Sequence, residues 1–139
     1  MSETPYEVEL KFPIDDPESL RNRLAAIGAV WSEPIRQVDL YFGHPSRNFA
    51  ETDEALRMRT AGADSILTYK GPVVDRRTKT RQEIEVELAP GSDSATALTG
   101  ILQLLGFFPV REVVKTRRTA TALWRSQAIT CGWDDVVPV

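Results

Sequence analysis

Residues 6–12 read Tyr6-Glu7-Val8-Glu9-Leu10-Lys11-Phe12, apolar and charged side chains in alternation. Successive side chains of a β-strand point to opposite faces. A strand here therefore carries Tyr6, Val8, Leu10 and Phe12 on one side and Glu7, Glu9 and Lys11 on the other. A single strand of this kind is as well explained by an ordinary solvated face. The pattern decides the fold only where other strands repeat it.

They do repeat it. QVDLYF (37–42) sets Gln37, Asp39 and Tyr41 against Val38, Leu40 and Phe42. ALRMRT (55–60) sets Arg57 and Arg59 against Leu56 and Met58, and ILTYKG (66–71) sets Thr68 and Lys70 against Leu67 and Tyr69. TRQEIEVEL (80–88) places Arg81, Glu83, Glu85 and Glu87 opposite Ile84, Val86 and Leu88. In VVKTRRTATALW (113–124) Lys115 and Arg117 share a face, and ITCGWDD (129–135) begins a short strand with Asp134 near its end. Connectors containing Gly or Pro separate these runs: GHPSRNFAETDE, AGADS and GPVVDRRTK.

Two segments have helical period instead. Asp16 caps and Pro17 opens a helix whose stripe is Leu20, Leu24 and Ile27, with Gly28 as terminator. The second runs from a cap at Ser92 or Ser94 through Leu98, Ile101, Leu102 and Leu105 to a stop at Gly106. Core packing accounts for both stripes.

Composition narrows the function classes. At 139 residues, 42% hydrophobic and 27% charged, the chain reads as one globular domain spanning 1–139, with no internal repeat. A net charge of −3 gives no reason to expect nucleic acid, whose binders carry a basic excess. One cysteine, Cys131, and one histidine, His44, supply neither an intrachain disulfide nor a zinc set, so any metal must be a hard cation held by oxygen, such as Mg²⁺ or Mn²⁺. No signal peptide or membrane-length apolar run is legible, which places the protein in the cytoplasm with no membrane partner.

The polar faces are grouped by sign. The bases are Lys11, Arg57, Arg59, Lys70, Arg81, Lys115 and Arg117; the acids are Glu7, Glu9, Asp39, Glu83, Glu85, Glu87 and Asp134. A sheet closed into a barrel with its apolar side outward, under the helices, would leave these charges in a hydrated interior. Unpaired ions in a dry interior cost several kcal/mol each, so the charges require one another, water, or ligands of both signs. A polyphosphate held by Arg and Lys, with a divalent cation on the carboxylates, meets that requirement. No G-x-x-x-x-G-K-[ST] loop or dinucleotide fingerprint is present.

The E-x-E-x-K run at Glu7, Glu9 and Lys11 resembles the signature of the CYTH superfamily, the triphosphate tunnel metalloenzymes. QVDLYF, HPSRNFAETDEALRMR, LTYKGP, TRQEIEVE, LLGF and VVKTRR follow in the family's order and spacing and cover nearly the whole chain, with 44–59 most similar to the class IV adenylyl cyclase (CyaB-like) branch. The resemblance implies an α+β fold, an antiparallel eight-stranded β-barrel with helices packed outside it. It implies phosphate binding by Lys11, Arg57, Arg59, Lys70, Lys115 and Arg117, to which the sign-grouped face adds Arg81, with Lys11 and Arg59 as the catalytic residues. It implies metal binding by Glu7 and Glu9, by one or more of Glu83, Glu85 and Glu87, and by Asp134, beside which Trp133 replaces the usual aliphatic residue. The implied cofactor is Mg²⁺ or Mn²⁺, and the implied partner a triphosphate compound: ATP, tripolyphosphate or thiamine triphosphate. Family members continue to a strand with an E-x-E pair and a helix, whereas this sequence stops at VVPV, so the tunnel is expected to lack its last wall and to expose strand edges that invite a homodimer.

Other residues read more simply. His44 suits a turn, Cys131 a small strand position, and Trp31, Trp124 and Trp133 packing. DRRTKTR (75–81) is a solvated basic loop, or a lid over a tunnel mouth. Three functions remain open: a cyclase, a hydrolase of tripolyphosphate, thiamine triphosphate or a nucleotide, and a polyanion-binding module without turnover.

Overall fold

A computed structural model describes residues 6–78 and 80–138, with the side chain of Glu7 outside the description. Among these residues the chain forms β1 (Tyr6–Glu7), α1 (Pro17–Ala26), β2 (Val30–Trp31), β3 (Ile35–Gly43), α2 (Phe49–Thr52), β4 (Ala55–Ala61), β5 (Asp64–Asp75), β6 (Thr80–Glu87), α3 (Asp93–Leu104), β7 (Phe108–Trp124) and β8 (Gln127–Val136). The fold is α+β, as the resemblance implies: the eight strands form one sheet in the order β1-β6-β5-β4-β3-β7-β2, with β8 also on β7, and the strand pairs whose register is resolved are antiparallel.

The chain packs as two compact units, one of residues up to Leu10 with Gln37–Val114, the other of Lys11–Arg36 with Lys115 onward. In the first, three successive antiparallel pairings carry β3 to β6. Phe42, Met58 and Leu102 are its buried centre, with Leu40, Leu56, Leu67, Leu88, Ala95, Leu98 and Phe107 packed around them. The apolar face of β3, β4 and β5 is thus covered by α3, whose stripe supplies Leu98 and Leu102. Gly43 belongs here for a steric reason: a Cβ at this position would lie 3.0 Å from Phe108 and Val110.

The cover stops short of the sheet's margin. Val8, Leu10, Ile84 and Val86, expected beneath helices or loops, are 68%, 58%, 45% and 52% exposed, because the core under α3 takes its strand residues from β3, β4 and β5. The strand predicted over 6–12 is also shorter than its pattern, ending at Glu7. Its partner β6 begins at Thr80, near the end of β1, and Glu9 N–H also donates to the Thr78 carbonyl at 3.0 Å. Among the described residues no strand pairs with 8–12.

In the second unit α1 begins as predicted, with the Asp16 carboxylate accepting from the Ser19 amide at 3.1 Å and Pro17 in the first turn. Gly28, at φ 87°, takes the chain out of it. β7 pairs with β8 through Trp124↔Gln127, leaving a two-residue hairpin turn, and β2 lies on β7's other side at Thr121 and Ala120. Trp31 and Trp133 meet edge to face at 5.8 Å, and the Arg21 guanidinium lies 5.0 Å over Trp133. Packing is therefore the role of both tryptophans.

Candidate functional site

In the first unit the register lays the charged face out as a grid. One row across β3, β4, β5 and β6 is Asp39, Arg59, Ile66 and Glu87; the next is Tyr41, Arg57, Thr68 and Glu85. A third joins Ala55, Lys70 and Glu83. In these rows the bases occupy the two central strands, with Asp39 on β3 to one side and Glu83, Glu85 and Glu87 in line on β6 to the other. This face holds three well-buried polar groups: Thr68 is 0% exposed, Asp39 1% and Arg57 8%.

Each base meets its register partner. Arg59 grips Asp39 side-on, Nε to Oδ1 at 2.7 Å and Nη2 to Oδ2 at 2.8 Å. Lys70 stands 3.7 Å from Glu83. Arg57 differs: Nη2 donates to the Thr68 hydroxyl at 3.3 Å, and that hydroxyl donates to Glu85 at 3.4 Å. The buried Arg57 Nε has no hydrogen-bond acceptor among the described residues. A buried guanidinium bonded to a neutral hydroxyl is costly, since desolvation of an ion runs to several kcal/mol before compensation.

Arg81, grouped by its sequence position with the phosphate-binding bases, is engaged with the backbone. Nε donates to the Gly71 carbonyl at 2.6 Å and Nη2 to the Asp53 carbonyl at 2.8 Å. Asp53, left-handed at φ 58°, accepts from the Val73 amide through its carboxylate at 3.0 Å. These contacts bind the exit of α2 to the register shift in β5 between Lys70 and Val73. Next to them, Tyr69 donates to Glu54 at 2.6 Å and Arg47 Nε donates to its other oxygen at 2.8 Å. Burial alone would raise the Glu54 carboxyl, but hydrogen bonds from Thr52, Tyr69 and Arg47 outweigh it and leave the pKa lowered. The same bond to Glu54, with burial, raises that of Tyr69.

Glu9 is half-buried, Glu85 and Glu87 lie on the exposed half of β6, and the side chain of Glu7 is outside the described residues. His44 accepts from the Ser46 amide through Nδ1 at 3.2 Å, in the turn expected of it. Of the basic loop, Arg76 and Arg77 are exposed; Lys79 is outside the described residues.

In the second unit Arg117 repeats the side-on grip, Nε and Nη2 to Asp134 at 2.6 and 2.7 Å, across another register pair. Lys115, 9% exposed, lies 3.6 Å from the same carboxylate. The Arg117 hydrogen bond chiefly holds the Asp134 pKa below its ordinary 3.8, against the opposing effect of burial. Lys11 is exposed, in the segment between β1 and α1.

Among the described residues no three carboxylate, His or Cys groups gather as a metal set. Mg²⁺ sites commonly take one or two carboxylates and complete their shell with water and substrate phosphates, so the β1 and β6 acids retain suitable chemistry for one. No helix among the described residues is long and apolar enough to cross a membrane. Sequence reasoning counted Asp39 among the acids but gave it no task, and passed over Thr68. The signal for both was the cross-strand register, which periodicity does not fix.

The description "CYTH domain" matches residues 5–139. The Methanocaldococcus jannaschii protein named "Putative adenylate cyclase MJ0240" is 36% identical over 130 residues, 94% of this chain and 70% of that protein. The solved structure of PH1819 from Pyrococcus horikoshii superposes with a TM-score of 0.68 at 32% identity, over 86% of this chain and 67% of that one. A Bacillus halodurans structure titled as a putative adenylate cyclase shares the fold at a TM-score of 0.51 and 12% identity, covering 96% of this chain and 80% of that one. With its sheet order, its charged strand faces and these matches, the chain belongs to the CYTH family.

Proposed function

We propose that the basic strands bind a triphosphate compound and that the protein is a metal-dependent enzyme acting on it in the manner of a class IV adenylyl cyclase, converting ATP to cyclic AMP and pyrophosphate. The observation that carries the reading is Arg57. The residue is only 8% exposed yet its Nε lacks an acceptor among the described residues, an arrangement that a bound anion would complete. Arg59 and Lys70, in the adjoining rows, extend the positive strip along β4 and β5.

In this reading Arg57, Arg59 and Lys70 are the phosphate-binding bases of the first unit; Lys11, Lys115 and Arg117 are the bases of the second proposed for the same chemistry. Glu7, Glu9, Glu83, Glu85, Glu87 and Asp134 are the carboxylates available to Mg²⁺ or Mn²⁺, which when bound would offset phosphate charge. Cyclisation joins the ribose 3′-oxygen to the α-phosphorus as the bond to pyrophosphate breaks. The fixed guanidinium and ammonium groups stabilise charge on the non-bridging oxygens. The relative's name supports the cyclase. One observation favours hydrolysis instead: Tyr41, an aromatic on the charged face of the first unit, has the Arg111 guanidinium 4.7 Å over its ring, so one face of it is already taken.

Incubation with ATP and, separately, with tripolyphosphate, each with Mg²⁺ or Mn²⁺, tests the proposal by product identification. Cyclic AMP with pyrophosphate is the expected result. Orthophosphate from tripolyphosphate would replace the cyclase with a hydrolase, and failure to bind either compound would reject both.

A further inference from the structure

We infer that Asp39 is a positioning residue: it holds the Arg59 guanidinium in a fixed pose from behind and stays bonded to it while an anion binds in front. The inference rests on the polyphosphate reading. Side-on pairing uses one N–H of Nε and one of Nη2, at 2.7 and 2.8 Å. A guanidinium carries five N–H donors, so both on Nη1 and the second on Nη2 remain for an anion.

Burial distinguishes an orienting partner from a counterion that gives way. The Asp39 side chain is 1% exposed and that of Arg59 13%, so the carboxylate is the inner member of the pair and the guanidinium the outer. An anion arriving from the more accessible side meets Arg59 first. Pulling Arg59 away would break two charge-assisted hydrogen bonds to a buried carboxylate, a costly loss. Retaining the pair avoids that penalty and fixes the fork beforehand, as preorganised anion binding requires. The Arg117–Asp134 pair has the same bond pattern but side-chain exposures of 25% and 29%. Neither member is shielded by the other, and no such assignment follows there.

The test uses tripolyphosphate without metal, in EDTA, so that activity and metal affinity do not enter. Asp39→Asn keeps the side-chain shape but has one oxygen to accept with. Calorimetry should show affinity reduced about tenfold, the scale of one lost charge-assisted contact, although the substitution removes a negative charge beside the ligand. In an Arg59→Lys background, which has no fork to orient, the same change should alter affinity less than twofold. The Arg59 Nε–H signal in wild-type NMR spectra should be slow to exchange and persist at saturating tripolyphosphate. Tighter binding by Asp39→Asn, or loss of that signal on anion addition, would make Asp39 a displaceable counterion and overturn the inference. Unchanged affinity in a folded Asp39→Asn protein would reduce it to a structural residue and overturn it equally. No tripolyphosphate binding by the wild-type chain would instead remove the polyphosphate reading beneath it.

Discussion

Arg57 shows the conflict between stability and function on one side chain. Its orphaned Nε destabilises the ligand-free protein and suits the bound one. Arg57→Leu should therefore raise the ligand-free stability, by about 1 kcal/mol, in line with other replacements of buried ions by apolar groups. It should also abolish the rise in melting temperature that tripolyphosphate gives the wild type. Melting curves with and without the anion check both signs; a ligand-free variant less stable than wild type would show that Arg57 is already compensated. Asp134 gives a pH test. Its folded pKa is lowered, first by the Arg117 hydrogen bond, so its stabilisation is present above the unfolded value near 3.8 and is lost as pH falls through the folded one. Urea unfolding of wild type and Asp134→Asn should differ most above pH 4 and converge below it; a gap independent of pH would contradict the pairing. At this scale the sequence exposed the types and faces of the charged residues. It did not expose their pairing, because Asp39↔Arg59 and Arg57↔Thr68 are set by register between strands. Nor did it reveal that Arg81 bonds to the backbone carbonyls of Gly71 in β5 and Asp53 at the end of α2.

Elements with long, strong periods were legible, and short ones were not. α1 appears with the cap and the half-buried stripe read from it; α3 starts after Ser92 without a side-chain cap bond and buries Leu102, while Ile101 and Leu105 of the expected stripe stay exposed. The two-residue β2 and the four-residue α2 are too short to establish a period. β1 carries the right pattern, yet among the described residues no strand pairs with 8–12. Cover by α3 separates two apolar rows that look alike in sequence. Met58→Ala, in the buried centre, should lower stability by about 2–4 kcal/mol, while Val86→Thr, on the uncovered row, should change it by less than about 0.5 kcal/mol. Chemical denaturation of both variants measures the contrast, and equal losses would mean that Val86 is covered after all. The β7–β8 turn supplies a further prediction. Arg125 and Ser126 lie at φ 48° and 65°, where L-residues other than Gly, Asn and Asp are disfavoured by roughly 1–2 kcal/mol. Ser126→Gly should stabilise the protein by about 0.5 kcal/mol after the glycine's own chain-entropy cost. A lower melting temperature would show that this turn is not strained.

For the molecule as a whole, sign-grouped charge rather than net charge points to the ligand. A net charge of −3 repels polyanions on average, so binding must come from local rows: bases on β4 and β5, and bases beside Asp134 on β7. The most direct measurement is equilibrium binding of orthophosphate, pyrophosphate and tripolyphosphate at fixed ionic strength. Bases distributed over successive rows should engage successive phosphoryl groups, so affinity should climb at each step and be greatest for tripolyphosphate. Equal, weak binding of all three anions, or a tripolyphosphate affinity that disappears with Arg76→Ala and Arg77→Ala but survives Arg57→Leu, would place the interaction on the exposed loop and contradict a site built on the strands.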